Sequence, residues 1–499
     1  MGPAAPKTSS TAYSPLSEMN REKSISLHSR YNPEGEAERY IASLSLNGNI
    51  RFFILIEPGM GYIIGPLKKR FPGAKVISLH ASAEHYSERG STPDAEWYAD
   101  SCLTVQDFLE REIPDTEAAE IRLLEWRPAL ALYGSAYLTL VEEAARFIKR
   151  SDANARTIKN FGRRWFRNYF RNLEIIKTVI EPLSLSLPLL VTGAGPGLED
   201  VIPLVREESR QGSIFVLAVS SSVNALEAGG VSPGMVISTD GGLWAPFHLY
   251  DWLRSETTRA GAPGTASCAL AASLTAALPS QCGNVPILPI SDGSLWQSLT
   301  LRGLGIPFIA LPQRGTVSAS ALDLAFVLTK GDIYLAGMDL ANRDIRSHAR
   351  PYGLDRFIED KAGRFSPAYS GAYGRSSMLK AGGSFGIYAS WFAKQLAAYP
   401  KRLHSLGKNN PLFRSLETQS LRTEREAAAA GLVSGITLRN SESLSQKALD
   451  ILERAMVSPA WSAKLREEFL PLLSPNGREE PPGELLETLR SLAGSYKHG

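Results

Sequence analysis

The stretch from Leu189 to Gly242 constrains the fold of this chain more than any other. It holds three short apolar runs, each ending in a turn of small or acidic residues, with two segments of helical character between them. This β-α-β-α-β order predicts parallel strands, and the loops that follow parallel strands gather along one edge of their sheet. Open α/β sheets bind ligands at that edge, so the stretch predicts where a binding site lies.

Three loops are predicted to meet at this edge of the sheet. They are Gly193-Ala194-Gly195-Pro196-Gly197, Ser220-Ser221-Ser222 and Asp240-Gly241-Gly242. Glycine lets backbone N–H groups approach an anion closely, and a helix starting near Leu198 would point its positive end at that anion. Together the loops indicate a phosphate-bearing ligand. A tight strand-to-helix turn without a ligand is the alternative interpretation of the glycine loop.

Composition narrows the possible classes of function. The 499 residues are enough for roughly three domains, and 43% hydrophobic with 21% charged residues is ordinary globular composition. The net charge of +3, from 54 basic and 51 acidic side chains, gives no support to a nucleic-acid partner. No apolar run reaches the length of about 18 residues that a membrane span requires.

The cysteines and histidines show no metal-ligand spacing. Cys102, Cys268 and Cys282 lie far apart and outside any C-x-x-C pattern. We therefore predict reduced, mostly structural thiols, no metal site and a cytoplasmic protein.

The predicted fold class is α/β, with two Rossmann-like domains built on parallel sheets and an α-helical C-terminal region. The predicted domains are a disordered leader at 1–23, an N-terminal Rossmann-like domain at 24–150, connecting helices at 151–188, a central nucleotide-sugar-binding domain at 189–404 and a helical domain at 405–499.

The N-terminal domain begins like a nucleotide-binding unit. A buried strand at 50–56 leads into Gly59-Met60-Gly61, and a second strand follows at 75–79. Nucleotide sites of this type place an acid after the second strand to bind ribose, where this chain has His80-Ala81. We therefore favour a structural role for this domain over a working site.

A second informative unit lies further along the chain. Thr316 or Ser318 is predicted to cap a helix that runs to Leu328 and is ended by Gly331, and a buried strand at 333–336 then delivers Asp339 to an edge loop. His348 follows in a polar segment, and residues 350–383 have the composition of a lid loop. His348 is a candidate general base, with a surface histidine of no catalytic role as the alternative.

Several motifs resemble two related families. The segments LHSRYNPEGEAERYI, EPGMGY, GAGPGL, VSPGMVISTDGG, GTVSASALDLAFVL and IYLAGMDLA are similar in order and spacing to the motility accessory factor (Maf) glycosyltransferases of flagellin and to the 6-hydroxymethylpterin diphosphokinase MptE-like proteins. The resemblance spans roughly residues 25 to 400. The GAGPGL turn and the strand before Asp339 also resemble bacterial sialyltransferases that use CMP-sialic acid.

The resemblance implies transfer of a nonulosonic acid, of sialic, pseudaminic or legionaminic type, from a CMP-activated donor to Ser or Thr of flagellin or another secreted protein. It implies no metal and no permanently bound cofactor, since hydrogen bonds and helix N-termini can stabilise the leaving CMP. The binding residues implied are Gly193, Gly195, Pro196 and Gly197 at the phosphate, Ser220, Ser221, Ser222, Asp240 and Gly241 at the cytidine and ribose, and Thr316, Ser318 and Asp339 beside the sugar. The predicted catalytic residues are Asp240, His348 and His248.

Three positions depart from the family pattern. Gly197 replaces a serine, Gly234 replaces an acid and Ser220 falls where an aspartate is common. Two alternatives therefore stay open. One is an ATP-dependent pterin diphosphokinase-like enzyme, with Mg²⁺ held by acids such as Asp240 and Asp339. The other is a non-catalytic flagellin-binding factor on a degenerate nucleotide fold.

Overall fold

The structure is a computed structural model of the chain. It describes residues 26–46, 50–82, 91–113, 120–182, 184–260, 268–340, 343, 346–368, 370, 384–406, 436–438, 443–473 and 482–494. The predicted leader at 1–23 and residues 371–383 of the predicted lid loop lie outside these ranges.

The chain divides into two compact units, Met1–Ile158 and Lys159–Gly499. The first unit contains one parallel sheet. Its strands are β1 Phe52–Ile56, β2 Lys75–His80, β3 Ala95–Tyr98 and β4 Ile121–Glu125, in the order β3-β2-β1-β4. Its helices are α1 Pro33–Ser43, α2 Ile64–Arg70 and α3 Val105–Glu112. A further helix, α4 Leu130–Ile175, is interrupted at Gly134 and contributes residues to both units.

The second unit contains a larger sheet. Its strands are β5 Thr178–Val179, β6 Leu189–Thr192, β7 Phe215–Val219, β8 Met235–Ser238, β9 Ala269–Ser273, β10 Ile287–Ser291, β11 Ile309–Ala310, β12 Ile333–Ala336, β13 Leu403–Ser405 and β14 Ile436–Thr437. Their order is β13-β12-β6-β7-β8-β9-β10-β5-β14, with β11 also paired to β10. Every pairing is parallel except that of β14 with β5.

The second unit also contains helices. They are α5 Leu198–Arg210, α6 Val223–Ala228, α7 Tyr250–Ala260, α8 Leu295–Gly303, α9 Val317–Leu328, α10 Asp355–Asp360, α11 Ser384–Ala398, α12 Leu444–Met456, α13 Ser462–Leu473 and α14 Pro482–Gly494. The predicted α/β class with parallel sheets and a helical C-terminal region is confirmed.

The central strands are apolar along their whole length because helices bury both faces of the sheet. Strands β6, β7, β8, β9 and β10 are buried at every residue, as is usual for parallel sheets. The helices after residue 443 share one hydrophobic core with the aromatic residues of the second half of α4, including Phe166 and Phe170. They therefore pack as part of the second unit.

Among the helices that the structure describes, none is both long and apolar enough to cross a membrane.

Candidate functional site

The glycine loop, residues 193–197, joins the end of β6 to the start of α5. Its Gly193 N–H donates to the Ala336 carbonyl at 2.7 Å, and its Gly195 N–H donates to the Gly337 carbonyl at 2.7 Å. Both carbonyls belong to the end of β12, the neighbour of β6 in the sheet, and the turn after it. These two amides are therefore hydrogen-bonded within the protein. A phosphate contact through them, as the resemblance implies, would require these bonds to be exchanged.

Close packing against the turn after β12 explains why the loop is rich in glycine. A Cβ atom on Gly193 would lie 2.4 Å from the Gly337 carbonyl oxygen, and one on Gly195 would lie 2.1 Å from Asp339 Oδ2. Gly337 itself has φ of +63°, a conformation that glycine adopts without a steric penalty. The sequence interpretation assigned these glycines to the approach of a ligand anion, whereas the structure shows the approach of a protein loop.

Asp339 places a carboxylate at the N-terminus of α5. Its Oδ2 accepts a hydrogen bond from the Gly197 N–H at 2.9 Å, where the helix dipole favours a negative charge. Burial raises the pKa of Asp339, and the Gly197 hydrogen bond and the positive charge of Arg343 oppose that rise. A side chain of the protein therefore supplies the negative charge at this helix end.

The same contact accounts for the glycine at position 197. A Cβ atom there would lie 2.4 Å from Asp339 Oδ1, so a serine would require the aspartate to move. Gly197 and Asp339 are consequently coupled by geometry.

Two acids in the first turn of α5 hold the chain segment that follows Asp339. Asp200 forms a two-pronged ion pair with Arg343, with distances of 2.9 and 2.6 Å. Glu199 accepts from the Arg346 guanidinium at 3.0 Å and from the Arg350 backbone N–H at 3.0 Å. The two Glu199 bonds hold residues 346–353, here called the cover segment, at the start of the helix.

The cover segment brings the two candidate histidines to one place. The Ala349 N–H donates to the Ala194 carbonyl at 2.8 Å, which ties the segment to the glycine loop. The His348 ring stacks on Tyr352 with ring centres 4.0 Å apart, and the His248 ring packs on the same tyrosine at 5.0 Å. Two histidines that are far apart in sequence therefore share one aromatic partner beside the glycine loop.

The two histidines differ in their surroundings. Burial lowers the pKa of His248, and the negative charge of Asp240 partly opposes this shift. Its Nδ1 has no hydrogen-bond partner within the described part of the chain. His348 Nδ1 lies 2.8 Å from the Ser347 hydroxyl. Burial therefore favours the neutral form of His248, which can accept a proton.

The loop after β8 presents Asp240 to solvent. The Asp240 carboxylate accepts from the Gly242 N–H at 2.7 Å, and its backbone carbonyl accepts from the Ala277 N–H at 2.9 Å. Gly241 packs so tightly that a Cβ atom would lie 2.4 Å from the Trp165 ring. The backbone of this turn is thus fixed on both sides while the carboxylate stays exposed.

The serine turn after β7 is mostly structural. Ser220 and Ser222 are buried, and the Ser222 hydroxyl lies 3.0 Å from Thr192 Oγ1, linking the ends of β6 and β7. Ser221 is partly exposed, so it is the member of the three whose side chain reaches solvent. Asn224, which sequence reasoning missed, is buried, and its Oδ1 has no partner among the described residues. The sequence feature that could have identified Asn224 is its position as a polar residue in the largely apolar helix VNALEA.

Thr316 and Ser318 lie at the start of α9. A helix that follows a parallel strand begins at the carboxyl edge of the sheet, so both residues lie at the same edge as the glycine loop. Both are partly exposed. Thr316 occupies the N-cap position of the helix, as predicted, although its side chain makes no capping hydrogen bond to any described residue. The predicted end at Leu328 is correct, with Thr329 and not Gly331 at the C-cap.

Gly234 lies away from this site. It immediately precedes β8, so it belongs to the amino edge of the sheet, opposite the glycine loop. A Cβ atom on it would lie 2.5 Å from the Phe215 ring. The departure from the family pattern at Gly234 is therefore a packing feature.

Across the described residues, no three His, Cys, Asp or Glu side chains are grouped as a metal site. The two acids suggested as Mg²⁺ ligands, Asp240 and Asp339, each accept a hydrogen bond from a backbone N–H. Each carboxylate keeps an oxygen atom outside that hydrogen bond, so one or both could still hold a phosphate-bound Mg²⁺.

Fold and site together define a Rossmann-like α/β protein with a candidate ligand site at the carboxyl edge of its larger sheet. Residues 163–344 match the family described as 6-hydroxymethylpterin diphosphokinase MptE-like. The predicted resemblance to that family is confirmed for this part of the chain, which contains the glycine loop, Asp240 and Asp339.

Two further similarities extend beyond this region. The chain is 26% identical over 291 residues to an uncharacterized protein of Treponema pallidum (strain Nichols), a match that covers 58% of this chain and 60% of the relative's length. It is also similar to a solved structure of a MAf glycosyltransferase from Magnetospirillum magneticum AMB-1, with a TM-score of 0.48 and 11% identity over 93% of this chain and 83% of that one. Similarity at that level does not define a shared activity.

Proposed function

We propose that this chain is a glycosyltransferase that transfers a nonulosonic acid, of sialic, pseudaminic or legionaminic type, from a CMP-activated donor to Ser or Thr of flagellin or another secreted protein. The observation that carries this proposal is the convergence of His248 and His348 on Tyr352 beside the glycine loop. A transferase needs a base next to a phosphate-bearing donor, and these residues supply one at the edge where α/β sheets bind ligands.

The chemistry assigns a role to each group. The acceptor hydroxyl oxygen attacks the anomeric carbon of the donor sugar, and the bond from that carbon to the CMP phosphate oxygen breaks with its electron pair on CMP. The hydroxyl proton passes to a neutral imidazole, for which His248 is suited because burial lowers its pKa. The glycine loop would contact the leaving phosphate, with the Gly193 and Gly195 amides exchanging their internal hydrogen bonds for bonds to it.

Asp240 and Asp339 take different parts in this scheme. Asp240 is exposed on a rigid turn, so its carboxylate is suited to accept hydrogen bonds from ribose hydroxyls. Asp339 lies at the start of α5 next to the glycine loop and would lie beside the sugar. A cytoplasmic location would fit a CMP-activated donor, and fractionation of cells that produce the chain would test it.

The test uses the purified full chain with CMP-activated nonulosonic acid and flagellin. CMP release is the readout, and calorimetry compares CMP with ATP. His248→Gln and His348→Gln should slow CMP release, whereas His404→Gln, a matched change at a buried histidine of β13, should not. Absence of both CMP binding and CMP release with the unmodified chain would exclude this function.

A pterin diphosphokinase-like activity is the second candidate, because the family description matched by residues 163–344 names that enzyme. It requires ATP binding and Mg²⁺-dependent turnover, and the calorimetric comparison of ATP with CMP separates it from the transferase.

A non-catalytic flagellin-binding factor is the third candidate. It is favoured by the internal hydrogen bonds of the Gly193 and Gly195 amides. An Asp240→Ala chain that binds flagellin normally and restores motility would support it.

A further inference from the structure

The sheet of the first unit has a topological switch point. The chain passes from β1 to β2 and β3 on one side and then returns to the other side of β1 as β4. Loops that leave two neighbouring parallel strands in opposite directions open a crevice at the carboxyl edge, and ligands of α/β proteins bind in such crevices. This strand order therefore predicts a crevice between the ends of β1 and β4.

His28 lies between the ends of β1 and β4 and has a buried hydrogen-bond donor. Its Nε2 accepts a hydrogen bond from the Met60 N–H at 3.0 Å, and its ring stacks on Trp126 with ring centres 5.2 Å apart. Because Nε2 is an acceptor, the proton of the neutral ring is assigned to Nδ1. His28 is 9% exposed, and its Nδ1 has no hydrogen-bond partner among the residues the structure describes.

Tyr137 supplies a second buried hydrogen-bond donor. It is 1% exposed, and its hydroxyl has no hydrogen-bond partner in the described ranges. Burial raises the pKa of Tyr137, the charges of Glu125 and Glu57 raise it further, and the positive charge of Arg127 opposes the rise. The hydroxyl is therefore electrostatically coupled to acids that end β1 and β4. Buried polar groups are nearly always hydrogen-bonded, so two orphaned groups at one sheet edge point to a missing partner.

Glu57 has an unusual backbone conformation at the same edge of the sheet. It follows β1 directly, is fully buried and has φ of +46°, a left-handed conformation that residues other than glycine seldom adopt. Its carboxylate accepts a hydrogen bond from the Ala81 N–H at the end of β2 and lies 3.8 Å from His80 Nδ1. Residues in such conformations concentrate at binding and catalytic sites.

The chemistry of these groups selects the ligand. The histidine N–H and the tyrosine O–H donate hydrogen bonds, and the carboxylate of Glu125 at the end of β4 can accept them. The negative charges of Glu125 and Glu57 outnumber the one positive charge of Arg127 and disfavour an anion. A neutral ligand with adjacent hydroxyls both donates and accepts, as a ribose or another sugar does. We propose that the crevice between β1 and β4 binds the vicinal diol of a nucleoside or a free sugar, with His28 and Tyr137 as its donors.

Binding of adenosine, cytidine and D-ribose to the full chain, measured by calorimetry, tests this site. Tyr137→Phe removes one donor, and His28→Phe removes the other together with the acceptor of the Met60 N–H; each should weaken binding about tenfold. Tyr31→Phe, the same change at a tyrosine that is 98% exposed, should leave the affinity unchanged. Binding of ribose as well as nucleosides would identify the diol alone as the ligand, and binding of nucleosides alone would add a contact to the base.

This site is independent of the transferase function proposed above. Binding that is unchanged in His348→Gln but weakened in Tyr137→Phe locates the ligand in the first unit, whatever the activity of the second. Circular dichroism confirms that each variant is folded. Failure of all three probes to bind at millimolar concentration, or equal affinity in the unmodified chain and both Phe variants, would overturn the proposal.

Discussion

The Asp339 carboxylate accepts a hydrogen bond from the Gly197 N–H at 2.9 Å, so a side chain from the turn after β12 occupies the positive end of α5. This contact joins the glycine loop after β6 to the turn after β12, two parts of the sequence that attract attention for separate reasons. It also means that the helix end, the glycine loop and Asp339 respond together to substitution.

The first prediction concerns steric coupling between these residues. Gly197→Ser places a Cβ atom 2.4 Å from Asp339 Oδ1, so the aspartate must move and give up its bond to the helix. We expect a loss of roughly 1–3 kcal/mol in the free energy of unfolding, measured with urea. Gly363→Ser, at a glycine with open space around its Cβ position, is the matched control.

A double-mutant cycle separates this coupling from a general effect of serine. Asp339→Ala should remove most of the cost of Gly197→Ser, because the clash then has no partner. Additive effects of the two substitutions would contradict the coupling.

The second prediction is a pH dependence of stability. Burial raises the pKa of Asp339, so the native chain binds this proton more tightly than the unfolded chain. The resulting stabilisation is full below the ordinary carboxyl pKa of about 3.9 and is lost as the pH rises through the raised native value. Asp339→Asn lacks this loss, so the unmodified chain should lose stability relative to the variant as the pH rises.

Asp200→Asn provides a control of opposite sign. The hydrogen bond from Arg343 lowers the pKa of Asp200, so its contribution is present above the ordinary carboxyl pKa and is lost as the pH falls through the lowered value. The difference in unfolding free energy between each variant and the unmodified chain, measured across the acidic range, gives both slopes. Slopes of the same sign would refute the assignment.

The third prediction concerns the base. His248→Gln should reduce the rate of CMP release about 10²–10⁴-fold if this residue removes the acceptor proton, with donor affinity preserved. Because burial lowers the pKa of His248, the acidic fall in kcat/KM of the unmodified chain should lie below the ordinary histidine value of about 6.5. A fall centred above that value would assign the base to another group.

The fourth prediction concerns the cover segment, residues 346–353. Glu199→Gln weakens the anchors to Arg346 and the Arg350 N–H. We expect a change of less than about 1 kcal/mol in global stability, since the ion pair is partly exposed. Amide exchange within the segment should become faster, because local opening needs less free energy than unfolding.

Asp200→Asn is also the control for this experiment, because it weakens only the contact to Arg343. Exchange rates in residues 346–353 that respond equally to both substitutions would show that Glu199 is not the anchor.

The sequence was sufficient to predict the local elements of the second unit. The apolar runs at 189–192 and 333–336 are strands because helices cover both faces of a parallel sheet, and that environment selects continuous apolar residues. The helix from Val317 to Leu328 could likewise be read from its composition. The placement of three loops at one edge followed from the parallel order alone.

What the sequence could not determine was which loops touch. β12 lies beside β6 although about 140 residues separate them, and this strand order makes Asp339 the partner of Gly197. No local pattern encodes that order, so the need for these glycines in packing against a protein loop could not be predicted from the sequence. The meeting of His248 and His348 on Tyr352 has the same origin. Local periodicity therefore determined the elements, and long-range strand pairing decided which side chains form the candidate site.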